Sequence, residues 1–187
     1  MPKPWDTRPA AKTGEKKDSA IYEAVGRALS QWEHLESKLA DLFAFMVGTY
    51  REPGLAPSQP ALRAYGAVVG SAARIGMLEE AAKAHFRLHE NEILQRRLEK
   101  LCHECRQFAG QRNNIAHGVA VQFFNSRPAR GLAWYLQPSP YGAKKNPMDA
   151  PPGYSYTSVE IGYFTDQFGK LYVRVEELIR DMTLAQL

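Results

Sequence analysis

Cysteine is scarce in this chain: Cys102 and Cys105 are the only two among 187 residues, and they lie three positions apart. A pair within one helical turn cannot frame the disulfide scaffold of a small secreted protein. Long apolar runs are missing as well, since no stretch approaches the roughly 20 residues that a membrane-crossing helix needs. The first residues are polar and carry Pro2, Lys3 and Pro4 where a secretory leader would be apolar, so a cytoplasmic protein with no membrane contact is expected. Acid is absent from residues 119–148, which hold Arg127, Arg130, Lys144 and Lys145 and neither Asp nor Glu. The net charge of +4 is therefore local, as on a surface that meets a polyanion, although a solvated loop would have the same composition.

With 44% hydrophobic and 24% charged residues, the chain has the makings of one globular domain with an ordinary core. Residues 1–18 carry five basic and three acidic side chains among prolines and a glycine, with no apolar periodicity, and are expected to form a disordered basic tail. Residues 19–187 are read as a single domain, of which 119–162 is a β-prone insertion. Asp18 or Ser19 can cap a first helix in which Ile21, Val25, Leu29, Trp32, Leu35, Leu39, Leu42, Phe43 and Met46 recur at helical spacing, as far as about Tyr50. A second helical stretch follows Ser58 and Pro60, with a break expected near Gly70 and Ser71.

The third long helix, from near Asn91, is the most regular. Leu94, Leu98, Leu101, Cys105, Phe108, Arg112 and Ile115 alternate steps of four and three and form one stripe. Arg112 lies within that stripe, where a guanidinium requires an anion: a bound phosphate, or a carboxylate of the first helix such as Glu33, Glu36 or Asp41. Gly118 is expected to end the helix in a left-handed conformation, leaving His117 in its last turn. Asn113 shares a face with His117, while Arg112 and His117 point about 140° apart on an ideal helix. The pair is thus half of a site, to be completed by a partner chain or by distortion at the helix end.

Beyond Gly118 the period changes to two. Val119, Val121 and Phe123 alternate with their neighbours, as do Leu132, Trp134 and Leu136, and residues 154–161 are again β-prone. A small antiparallel hairpin or meander should result, followed by an amphipathic C-terminal helix capped at Thr165. Trp134, together with Arg127, Arg130, Lys144 and Lys145, could stack bases and pair with phosphates, or simply pack against a helix. No metal site and no cofactor are expected. Cys102 and Cys105 read as buried thiols, and His85 and His89, four apart with Glu79 and Glu80 nearby, read as a solvated face for want of a further ligand.

The run Arg112-Asn113-Asn114-Ile115-Ala116-His117-Gly118, at the end of a long helix in a mainly helical chain, resembles the signature of the HEPN superfamily, an arginine followed after four to six residues by a histidine. That resemblance implies a mainly α fold, an up-down bundle of four to five helices, here with the hairpin inserted before the last one. It also implies a homodimer in which two motifs meet in a cleft, and a metal-independent endoribonuclease of a toxin–antitoxin or phage-defence setting, with RNA as substrate and an antitoxin or other protein as a partner. Relatives without activity serve instead as modules that bind nucleic acid, nucleotide or protein. In the active case His117 moves the proton of a ribose 2′-hydroxyl or of the leaving oxygen, Arg112 holds the phosphate, and Asn113 orients one of them.

Overall fold

In the computed structural model the chain is mainly helical, as the periodicity requires, with one two-stranded antiparallel hairpin before the C-terminal helix. The structure describes residues 9, 13–48, 59–125, 131–139 and 153–186. The basic residues Arg127, Arg130, Lys144 and Lys145 lie outside these, as does most of the 1–18 tail. Helices α1 (Asp18–Met46), α2 (Gln59–Ala67), α3 (Ser71–Leu88) and α4 (Glu92–Ala116) precede strands β1 (Gly118–Asn125) and β2 (Gly131–Pro138), and α5 (Ser158–Leu184) closes the chain. Among the described residues no helix is long and apolar enough to cross a membrane. The chain divides into two compact units, Met1–Trp32 with Gln111–Gln167, and Glu33–Gly110 with Phe168–Leu187.

In the second unit the break between α2 and α3 falls at Gly70, whose φ of 86° is a conformation that other residues rarely adopt. Arg74, in the first turn of α3 and partly exposed, ties the connection together. Its Nε donates to the Val68 carbonyl at 3.0 Å, Nη2 to the Gly66 carbonyl at 3.3 Å, and Nη1 to the buried Glu36 carboxylate at 3.0 Å. Asp41 pairs with Lys38 at 3.0 Å. The stripe of α4 is buried at Leu94, Leu98, Leu101, Cys105 and Phe108, and the Phe108 ring meets Phe168 edge-on with centroids 6.1 Å apart. Asn91 caps α4, its Oδ1 accepting from the Leu94 amide at 3.1 Å.

Both cysteines are fully buried and unbridged, as expected of core thiols. His85 departs from expectation. It is buried, not part of a solvated face, because the end of α3 packs it between Phe45 and Phe86 at centroid distances of 5.7 and 5.3 Å. Burial, and then the neighbouring His89, hold its pKa below the ordinary imidazole value.

The first unit is organised by the hairpin, in which Val119 faces Gln137, Val121 faces Tyr135 and Phe123 faces Ala133. The outer edge of β2 is used twice, by Glu15 pairing with Trp134 and Tyr156 pairing with Leu136. Thus Glu15, at the end of the tail, is tied to the hairpin. The β-prone segment 154–161 yields only the Tyr156 bridge, since α5 starts at Ser158 rather than at Thr165. The reason is a capping box: the Thr157 amide donates to Glu160 Oε2 at 3.0 Å, and the Glu160 amide donates to Thr157 Oγ1 at 3.4 Å. Tyr156, Ile161 and Phe164 are then buried in this unit's core with Ile21, Trp32, Ile115 and Leu136.

Candidate functional site

The candidate residues gather at the end of α4, where helix passes directly into strand. The helix stops at Ala116, and His117 follows it, its amide donating to the Asn113 carbonyl at 3.0 Å. One of the four terminal carbonyls that a helix leaves without an internal partner is thereby satisfied. A second, that of Asn114, accepts from Tyr154 Oη at 2.7 Å. Tyr156 Oη donates to Gln111 Oε1 at 2.7 Å, and Asn114 Nδ2 donates to the same oxygen at 3.4 Å. The two tyrosine rings stack with centroids 4.8 Å apart. Burial, with Tyr156 alongside, pushes the Tyr154 phenol up to about 12, so it stays protonated and remains a donor across the physiological range.

Gly118 does not have the role the sequence suggested. Positive φ occurs in the described residues at Gly48, Gly70 and Gly131, not at Gly118. What Gly118 supplies is space, because a Cβ there would fall 2.6 Å from Leu136 Cγ. The glycine lets β2 lie against the helix end at the point where His117 is presented.

Of the three residues proposed to do chemistry, Asn113 and His117 are exposed and Arg112 is partly exposed. Arg112 Nη1 donates to Asn113 Oδ1 at 3.4 Å, a long hydrogen bond that sets the amide beside the guanidinium, while its Nε is buried. Ile115, between them on the same turn, is fully buried and anchors the turn from within. The structure therefore brings Arg112 and Asn113 together and presents His117 at the helix end. Trp134 is partly exposed in β2, opposite Gln122, with its backbone engaged by Glu15 at 2.8 and 2.9 Å.

The arrangement offers a cationic fork, an amide and an imidazole at a helix end braced by four neighbours: Gln111, Tyr154, Tyr156 and Gly118. Neither Tyr154 nor Tyr156 figures among the candidates from sequence. Their spacing was the available signal, since tyrosines two apart in an extended segment share a face. No family model matches this chain, and neither the curated proteins nor the solved structures provide a match.

Proposed function

We propose that this chain is a metal-independent endoribonuclease of HEPN type, acting as a homodimer through Arg112, Asn113 and His117. The observation that carries the reading is the braced end of α4, where His117 and Asn113 are exposed and Arg112 stands hydrogen-bonded to Asn113. A general base must be held in place yet reachable, and a helix terminus with the Asn113 and Asn114 carbonyls already bonded meets both needs. His117 takes the proton of the ribose 2′-hydroxyl, and that oxygen attacks the adjacent phosphorus. Arg112 binds the phosphate oxygens and stabilises the negative charge of the phosphorane. The 5′-oxygen leaves, taking up a proton from a histidine imidazolium or from solvent, which gives a 2′,3′-cyclic phosphate and a 5′-hydroxyl. Because Arg112 and His117 diverge by about 140° around an ideal helix, the reaction draws on both protomers.

The second reading is a helical dimer without activity that binds nucleic acid, nucleotide or a protein partner such as an antitoxin through the same surface. Trp134 and the basic residues 127, 130, 144 and 145 would serve either reading by gripping the strand. Growth on expression separates the two. Toxicity relieved by His117→Ala supports the nuclease, and equal growth of both forms without RNA cleavage favours the binding module.

A further inference from the structure

In the first unit the end of α4 presents an imidazole and an aromatic ring side by side. The His117 amide donates to the Asn113 carbonyl at 3.0 Å, and the Tyr154 hydroxyl donates to the carbonyl of the next residue, Asn114, at 2.7 Å. Consecutive carbonyls of one helical turn thus hold the candidate base and a phenol. Tyr154 is the outer member of a two-ring stack. Its partner Tyr156 is only 4% exposed, whereas Tyr154 is partly exposed, and the two planes are inclined by 20° with centroids 4.8 Å apart. One face of Tyr154 is therefore taken by Tyr156, and the exposed area belongs to the rest of the ring. Its neighbours in the chain do not close it off: Gly153 and Ser155 are exposed, and a Cβ added at Gly153 would meet no atom within 4 Å.

The ring is also fixed in orientation. Tyr156 sets its plane, the hydroxyl bond to Asn114 sets its direction, and Tyr156 is itself held by its hydroxyl bond to Gln111 Oε1 at 2.7 Å. A pinned aromatic ring with one face covered and another side accessible suits a nucleobase, because little conformational freedom remains to be lost when the base stacks on it. Every base has a π-face, so such a contact tolerates any sequence. Only an unpaired base can make it, since a base in a duplex is already stacked on its neighbours.

We propose that Tyr154 is a stacking platform for an unpaired nucleobase of single-stranded RNA, flanking the phosphate taken by Arg112 and Asn113 at the same helix end. The inference rests on the ribonuclease reading for its ligand and narrows the substrate to single strands. Arg112 and Asn113 supply charge and hydrogen bonds to the backbone, while Tyr154 supplies the contact to the base. The hydroxyl of Tyr154 positions the ring, and the ring itself binds.

The test is fluorescence anisotropy of a short labelled single-stranded RNA, and of a ribose-phosphate oligomer of the same length without bases, on the full chain carrying His117→Ala so that the RNA stays intact. Tyr154→Phe and Tyr154→Leu are then added in turn. The expected result is RNA affinity weaker by roughly fivefold or more in Tyr154→Leu and within about twofold of the parent in Tyr154→Phe, with the base-free oligomer bound alike by all three. A variant that merely disturbed the helix end would lose both ligands together. No RNA binding by the parent, unchanged RNA affinity in Tyr154→Leu, or a parallel loss of RNA and base-free oligomer would overturn the platform. Cleavage by the native chain decides the nuclease reading separately. Cutting combined with an RNA affinity indifferent to Tyr154 removes the platform alone, and an affinity that depends on Tyr154 without any cutting keeps the platform and removes the nuclease.

Discussion

Gly118 and Leu136 are in contact so close that a Cβ on Gly118 would sit 2.6 Å from Leu136 Cγ and 2.9 Å from Leu136 Cδ1, with the Asn114 carbonyl oxygen at 3.0 Å. The glycine that ends the Arg-to-His run is thus the point at which the hairpin locks onto the helix that presents His117. Gly118→Ala should destabilise the protein by about 1–3 kcal/mol through overpacking, read as a lower urea midpoint. Adding Leu136→Ala removes the clash, so the double variant should lose less than the sum of the two single losses. Strict additivity would show that the contact does not constrain this junction.

The tyrosine brace gives a second expectation. Tyr154→Phe and Tyr156→Phe each remove one hydroxyl and leave the stacked rings, at a cost of about 1 kcal/mol apiece. If the brace positions the helix end, RNA cleavage should fall by more than that loss of stability accounts for, with His117 itself unchanged. Single-turnover rates measured well below the variants' melting temperatures test this, and rates equal to the native one would reduce the tyrosines to a structural role.

Thiol chemistry should be silent in the folded state. Burial pushes the Cys102 thiol up to about 12 and raises Cys105 as well, so neither forms appreciable thiolate near neutral pH. Iodoacetamide at mildly alkaline pH should label no cysteine in the native protein and both in denaturant, as mass spectrometry would show. Rapid labelling of the native protein would mean that the core around Cys102 opens.

How much of this was legible in the sequence follows from which interactions are local. The stripe of α4 could be read because helical period and burial coincide from Leu94 to Ile115, with Arg112 alone in it partly exposed. The break at Gly70 was legible because glycine at a positive φ is a local signal. The start of α5 was misread because the alternation of residues 154–161 suits a strand, while the capping box of Thr157 and Glu160 acts only once the helix forms. Gly118 was assigned the wrong role because its neighbour, Leu136, lies eighteen positions away and only the hairpin register reveals it. The burial of His85 was hidden for the same kind of reason, since Phe45 lies on another helix. Arg112, Asn113 and His117 lie at the end of α4, where the helical period puts them, but the brace around them is made of contacts that no local pattern records.

The central claim is best tested by incubating the purified chain with a labelled single-stranded RNA in excess EDTA, beside Arg112→Ala and His117→Ala. The account predicts fragments ending in a 2′,3′-cyclic phosphate with the native chain, and at least a hundredfold slower cleavage with either variant. No cleavage by the native chain, or cleavage that persists unchanged in His117→Ala, would contradict it.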